Sequence, residues 1–160
     1  MELINSIYDN IYEKIKFNDK ILDIRFDDIV QIKVNKIINI HKNHNLYLKE
    51  KSKYDVIIFN QLFTNLSDYK IHNILEKLKD ISFSHTKIFF INNIITNFNQ
   101  YYYHPFSFLK VFGYPVYMEY MYDNIRNCDL KIINSERINS YDLFTYPIET
   151  FIVACVFKYF

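Results

Sequence analysis

The sequence predicts an α/β fold with a mostly parallel sheet, and one stretch of the chain is the main reason. Residues 54–81 read as a buried strand, a loop and an amphipathic helix, and a second apolar strand, KIFFIN, follows. The unbroken apolar run DVIIF is typical of a strand that is covered on both faces. Two such strands joined by a helix form a right-handed, parallel βαβ unit.

The other elements follow from the spacing of apolar residues along the chain. Ser67 is a good N-cap for the helix of the βαβ unit, and SFSH ends that helix. Segment 35–53 fits either a strand or a short helix. No repeat or linker interrupts the chain, so we predict one domain spanning 1–160. The remaining predicted elements are a helix at 1–16, strands at 21–26 and 29–34, a helix at 116–128, a strand at 130–138, a loop at 139–149 and a final strand at 150–160.

The composition indicates a globular chain with an unusual codon bias. Half of the 160 residues are hydrophobic, 23% are charged, and the net charge is +1. This balance gives no whole-chain attraction to nucleic acid or to membranes. The chain has one Gly, three Pro and no Trp against 15 Tyr and 15 Phe. Because the abundant residues have AT-rich codons, we interpret the aromatic content as genomic bias of a viral, organellar, plasmid or symbiont source.

Cysteine content and hydropathy predict an intracellular protein in a reducing compartment, such as the cytoplasm, a virus factory or an organelle matrix. Cys128 and Cys155 are too few for a disulfide framework, and free, buried thiols are the simplest interpretation. No apolar run reaches the roughly 18 residues of a membrane span. The first residues, MELINSIYDN, carry acids rather than the basic start of a signal peptide.

From Tyr54 onward the order of elements resembles the class I S-adenosylmethionine-dependent methyltransferases. The pieces that carry the resemblance are KILDI, DVIIF with LSDYKIHNILEKLKDI, KIFFINN, the stretch from YMEYMYDNIRNC to INSERI, and YPIETFIVACVFKYF. The resemblance implies a three-layer fold whose last strand is antiparallel. It also implies S-adenosylmethionine as the cofactor.

The chain departs from the family's pattern in two places. The family carries glycines after its first strand so that the backbone can approach the cofactor. Here Arg25, Phe26, Asp27 and Asp28 stand in their place. In addition, Ile24 and Asp55 are only 31 positions apart, which is too few for the family's helix, strand and helix at full length. We therefore expect a fold that is truncated in its first half.

The resemblance implies a small set of candidate site residues. Asp23, Asp27, Asn60 and Gln61 are the candidates for cofactor contact. Asn60 and His104 are the candidates for catalysis. Asn60 leaves the strand where nucleic-acid amino-methyltransferases carry Asn/Asp-Pro-Pro-Tyr/Phe, but NQLF lacks both prolines. Asp23 also fits a strand-end cap, and Asn60 with Gln61 also fits a polar turn.

Three further motifs have a functional and a structural interpretation. HKNH, at 41–44, has metal-ligand spacing without a third ligand, so a solvated segment is favoured. YYYHPF, at 101–106, is a candidate for stacking a base, and core packing explains it equally. KEKSK, at 49–53, reads as a solvated turn, with phosphate contact as the alternative.

These observations predict a degenerate, non-catalytic methyltransferase-like subunit. We expect it to act structurally or as a regulator in a larger assembly, with another protein subunit and RNA as candidate partners, because an apolar, aromatic-rich chain buries surface against partners. In this interpretation no cofactor is bound. The alternative is an active S-adenosylmethionine-dependent methyltransferase with an unusual cofactor loop.

Overall fold

A six-stranded sheet forms the centre of the structure, a computed structural model that describes residues 9–25, 34–39, 47, 49–95, 116–143 and 146–160. The strands are β1 (Ile21–Arg25), β2 (Lys36–Asn39), β3 (Tyr54–Asn60), β4 (Ser82–Ile95), β5 (Leu130–Leu143) and β6 (Tyr146–Phe157). The helices are α1 (Leu62–Asn65), α2 (Asp68–Glu76), which continues as a 3₁₀ helix (Lys77–Ile81), and α3 (Met118–Arg126).

The sheet is mostly parallel and has the order β2-β1-β3-β4-β6-β5. The pairs β1–β2, β1–β3 and β3–β4 are parallel, whereas β6 runs antiparallel to both β4 and β5. The predicted antiparallel last strand is therefore confirmed. Strands β1 to β5 all end at one edge of the sheet, which we call the carboxyl edge, and begin at the opposite amino edge.

The helices α2 and α3 cover one face of the sheet. The stripe predicted for α2 is buried there: Ile71, Ile74, Leu75, Leu78 and Ile81. These residues belong to the larger core cluster, together with Ile57 and Phe59 of β3 and Phe90 of β4. Ser67 precedes the first residue of α2 as predicted, although its hydroxyl forms no capping hydrogen bond.

A second, smaller core cluster fills the other face of the sheet, so the fold has three layers. Residues 9–12 are helical, and Ile11 is fully buried against Val56, Ile58 and Phe89. The described part of the predicted first helix therefore packs on the sheet, and residues 1–8 lie outside the described residues.

Several predicted boundaries need correction. The strand predicted at 29–34 lies almost wholly outside the described residues, and Val34 is not in a strand; β2 instead occupies part of the ambiguous segment that follows. The helix ends at Ile81, directly before SFSH as predicted. SFSH itself is the start of β4, because Ser82 pairs with Tyr54 and the Thr86 hydroxyl donates to the Tyr54 carbonyl (2.7 Å). Strand structure therefore begins directly after the 3₁₀ helix.

Two segments with polar sequences are more ordered than predicted. The loop predicted at 139–149 is wrong, because backbone pairing continues from Asn139↔Thr150 to Leu143↔Tyr146 in a long hairpin. Backbone hydrogen bonds at the sheet's edge need no alternation of apolar residues, so the sequence contained no indication of these strands. In KEKSK, Glu50 is 5% exposed and forms an ion pair with Lys36, so this turn is solvated only in part.

The first half of the fold is truncated, as the spacing predicts. Only ten residues, 26–35, join the parallel strands β1 and β2. A crossover between parallel strands usually takes a dozen residues or more, so this connection is shorter than usual. None of the helices in the described part of the chain is long and apolar enough to cross a membrane.

Asp55 holds three strands together at the amino edge. One carboxylate oxygen accepts a hydrogen bond from the backbone N–H of Lys20 (2.9 Å), just before β1, and the other lies 2.6 Å from Nε2 of His85 in β4. The hydrogen bond with His85, followed by that from the Lys20 backbone, lowers the pKa of Asp55. The first residue of DVIIF is therefore a structural residue at the edge opposite the predicted site.

We expect Asp55 to make the free energy of unfolding depend on pH in the acidic range. Because its pKa is lower in the folded state, its contribution is present above the unfolded value and is lost as the pH falls through the folded value. Asp55→Asn should cost roughly 1 kcal/mol at neutral pH and reduce the loss of stability between about pH 5 and about pH 3. Urea unfolding at several pH values measures both. Asp80→Asn, at a side chain 71% exposed, is the matched control and should change stability by a few tenths of a kcal/mol at most.

We expect the aromatic centre of the larger cluster to be sensitive to substitution. Phe90 is fully buried, stacks on Phe59 with centroids 5.2 Å apart, and contacts Phe63 at 5.5 Å. Phe90→Leu should lower the free energy of unfolding by roughly 1–2 kcal/mol through lost area and ring contacts. Phe83→Leu, on the same strand but 38% exposed, should cost less than half as much. Equal urea midpoints for the two variants would contradict this packing.

Candidate functional site at the carboxyl edge

The carboxyl edge between β1 and β3 is where a ligand site is expected in this topology. From β1 the chain moves outward to β2 and then returns to the other side of β1 as β3. Open α/β sheets bind their ligands outside the carboxyl ends of the strands at such a switch point. Ile24 is in register with Phe59, so Arg25 and Asn60 follow side by side at the site.

A buried ion pair between Asp23 and Arg25 occupies the end of β1. The two residues are separated by two positions, so their side chains lie on the same face of the strand. An Arg25 guanidinium nitrogen (NH2) contacts Oδ2 of Asp23, and the side chains are 1% and 0% exposed. A charge that is removed from water requires a partner of opposite sign. Asp23 and Arg25 are such partners for each other.

The described residues here do not fit the cofactor that the family resemblance implies. Arg25 stands at the first position of the family's glycine loop, where a side chain fills the space that the cofactor's approach to the backbone needs. Its guanidinium also holds Asp23, the predicted cofactor-binding carboxylate. Asp27, a second predicted cofactor residue, lies outside the described residues.

Asn60 and Gln61, the other predicted cofactor residues, lie together at the end of β3. Asn60 is half-buried. Gln61 has φ 61° and ψ 33°, a left-handed conformation that is uncommon for a residue other than glycine. Its Oε1 accepts hydrogen bonds from the Asn93 backbone N–H (3.1 Å) and the Thr64 hydroxyl (3.4 Å), and its own N–H donates to Ile91 (2.8 Å). The side chain thus joins α1 to β4.

Sequence reasoning missed a group of polar residues at the end of β4. The Thr150 hydroxyl donates to Oδ1 of Asn93 (2.9 Å), and Nδ2 of Asn92 donates to the Thr64 hydroxyl and to the Asn93 carbonyl (both 3.0 Å). Asn92 is fully buried, and its Oδ1 has no hydrogen-bond partner among the described residues. The signal was present in the sequence as two adjacent amides directly after the apolar run KIFFI.

Neither metal ligation nor thiol chemistry is supported in the described part of the chain. No group of three His, Cys, Asp or Glu side chains there is placed to hold a metal. Both cysteines are free. Burial, with Glu76 and Asp129 nearby, raises the pKa of Cys128 to about 11, and burial raises that of Cys155 to about 12. Both thiols therefore stay protonated at neutral pH and are poor nucleophiles.

Two sequence motifs fall outside the described residues. They are HKNH at 41–44 and YYYHPF at 101–106, which contains His104, the second predicted catalytic residue. Their roles stay predictions.

Comparison with known proteins finds a likeness in fold. No protein-family model matches the sequence, and no curated protein matches it. A SAM-dependent methyltransferase from Methanosarcina mazei superposes with a TM-score of 0.62 and 10% identity, over 92% of this chain and 96% of that chain. The O-methyltransferase of a trans-AT PKS multienzyme of Brevibacillus brevis, in complex with S-adenosyl-L-homocysteine, superposes with a TM-score of 0.62 and 11% identity. The superposition covers 95% of this chain and 71% of that chain.

A third structure extends the same likeness to a longer protein. Mitomycin 7-O-methyltransferase gives a TM-score of 0.57 with 11% identity, over 97% of this chain and 53% of that chain. The present chain thus spans nearly all of the Methanosarcina protein and about half of the mitomycin enzyme. Taken with the strand order and the antiparallel last strand, these superpositions show that the chain has the class I methyltransferase-like fold.

Proposed function

We propose that this chain is a degenerate methyltransferase-like protein without catalytic activity, which acts as a structural or regulatory subunit of a larger, RNA-handling assembly. The observation that carries the proposal is the buried ion pair at the end of β1. In the space where the fold family exposes backbone to a cofactor, this chain has the side chain of Arg25, folded onto Asp23.

The ion pair opposes cofactor binding in two ways. The arginine side chain fills space beside the backbone at the first position after Ile24, so the cofactor has no close approach there. The carboxylate of Asp23 is also already engaged by a cation. A ligand that needed this carboxylate would have to displace Arg25 and leave a buried guanidinium without its partner, which is costly.

The chemistry of the remaining described residues at this edge supports the same proposal. Five of them are amides and hydroxyls: Asn60, Gln61, Asn92, Asn93 and Thr150. Such groups position a ligand by hydrogen bonds, but they do not take up a proton at neutral pH. These five side chains therefore offer no general base. The described carboxylates at this edge are those of Asp23 and Glu149, and each is paired with an arginine, Arg25 and Arg137 respectively.

A role beside another protein is supported by the two edges of the sheet. The outer strands β2 and β5 each expose an isoleucine, Ile37 at 41% and Ile133 at 51%. Exposed edge strands offer unpaired backbone groups to a neighbouring chain. The free cysteines support our proposal of an intracellular, reducing location.

A cofactor titration tests the proposal directly. We expect S-adenosylmethionine and S-adenosylhomocysteine, at up to about 1 mM, to produce no calorimetric binding signal and no shift of the melting temperature. A ligand at about 100 times its Kd would stabilise the folded state by roughly 2.7 kcal/mol, which a thermal scan detects easily. Saturable binding to the wild-type chain would overturn the non-catalytic function and favour the active-enzyme alternative.

A double-mutant cycle tests the ion pair on which the proposal depends. Asp23→Leu or Arg25→Met alone should each lower the free energy of unfolding by about 3–5 kcal/mol, because each removes one partner of a buried ion pair. The double variant should be far more stable than the sum of the two losses predicts, since it buries two apolar side chains. Urea denaturation measures all four chains. Additive losses would mean that the two charges are not coupled in the folded protein.

A further inference from the structure

The amino edge of the sheet, opposite the candidate site, carries a basic surface with exposed rings. We call it the amino-edge patch and define it by five residues: Lys20, Lys53, Phe83, His85 and Lys87. Phe83, His85 and Lys87 alternate along the first part of β4, and all three are exposed. The pairing of β4 with β3 is irregular between Ser82 and Lys87, so the contacts of the side chains, rather than strand alternation, show which of these residues lie together. Lys20 and Lys53 directly precede β1 and β3.

Two flat rings form the centre of the patch. Phe83 and His85 stack with centroids 5.2 Å apart and an interplanar angle of 5°. Lys53 lies on the Phe83 ring, with Nζ 5.9 Å from the centroid. The His85 side chain is 63% exposed, and its ring is held in place by the contact with Asp55. The rings are therefore both held in a defined orientation and accessible to a ligand.

The positive charge of the patch is largely uncompensated. None of its three lysines forms an ion pair with a described residue; Nζ of Lys87 donates to the backbone carbonyl of Lys14 (3.1 Å), and Lys20 lies over the buried Tyr54 ring at 4.8 Å. The one carboxylate that contacts the patch, Asp55, already accepts hydrogen bonds from His85 and the Lys20 backbone. Asp55 also interacts electrostatically with Lys20, which leaves Lys53 and Lys87 as the lysines of the patch without a carboxylate contact among the described residues.

We propose that the amino-edge patch binds single-stranded nucleic acid, with RNA as the partner. Lysines on either side of an exposed ring pair match the requirements of such a strand, whose phosphates need cations and whose bases need flat surfaces. Phe83 and His85 offer a stacking surface that tolerates any base. An acidic protein would use the lysines but would gain nothing from the parallel rings. This inference deepens the RNA-handling part of the proposed function and rests on it for the partner.

Charge-removing variants test the contribution of the lysines. A fluorescein-labelled oligouridylate of about 12 nucleotides is titrated with the full chain at about 50 mM salt, and anisotropy reports binding. Lys53→Gln/Lys87→Gln should weaken binding at least about tenfold and reduce the slope of log K against log salt by about 0.7 for each lysine. Lys70→Gln/Lys131→Gln, which removes the same charge from exposed positions on α2 and β5, should change the affinity less than twofold.

A ring variant and a competitor separate nucleic acid from other polyanions. Phe83→Leu should weaken binding roughly tenfold through lost stacking while leaving the salt slope unchanged. Circular dichroism should show each variant folded. No binding by the wild type, equal losses in the two lysine pairs, or displacement by polyglutamate at equal charge would each overturn the proposal, the last in favour of an acidic protein. Cofactor binding at the other edge would overturn the non-catalytic function alone and leave this result unaffected.

Discussion

The ion pair between Asp23 and Arg25 is the constraint on which the functional interpretation of this fold depends. It lies at the end of β1, a strand paired on both sides, where both side chains are excluded from water. Two charges in such a place hold each other because neither can recover its hydration. The pair lies at the carboxyl end of β1, where open α/β sheets usually bind a ligand, and the proposed non-catalytic function rests on this position.

The two edges of the sheet are stabilised by different means. At the amino edge a single carboxylate, Asp55, connects the start of β1 to β4. At the carboxyl edge amides and hydroxyls bond to one another, with Gln61 joining α1 to β4 and Thr150 joining β6 to β4. Most of the polar groups described at the two edges therefore take their hydrogen-bond partners from within the chain.

The sequence was a good guide wherever burial controls the choice of residues. The apolar strand DVIIF, the stripe of α2 and the final strand were all predictable, since covered surfaces require apolar side chains at fixed spacing. It was a poor guide where backbone pairing alone determines the secondary structure, as in the hairpin from Asn139 to Thr150. β2 was ambiguous for a related reason: it has only four residues at the sheet's edge, and Ile37 on it is 41% exposed.

At the candidate site, too, the sequence predicted some features and missed others. The family resemblance indicated that Arg25 stands where the family has a glycine, because the residue type at each position can be read from the sequence. It did not indicate that the arginine turns back onto Asp23, since an i, i+2 contact depends on the strand's alternation and on burial from both neighbouring layers. Asn92 and Asn93 were also overlooked, because amides are so frequent in this composition that two adjacent ones carry little signal.

Under the proposed function, the ion pair would also make the closure of the site difficult to reverse by single substitutions. Replacing Arg25 by glycine would reopen the backbone, but it would leave the buried carboxylate of Asp23 without its cation. Breaking a buried pair in this way costs about 3–5 kcal/mol, a large share of the 5–15 kcal/mol that stabilises a typical domain. Replacing Asp23 first would instead remove the carboxylate that the buried Arg25 guanidinium contacts. Selection for stability alone is therefore enough to retain both charges once they are present, without any selection for cofactor binding. A buried pair that began as a defect in a ligand site would in this way become part of the structural core.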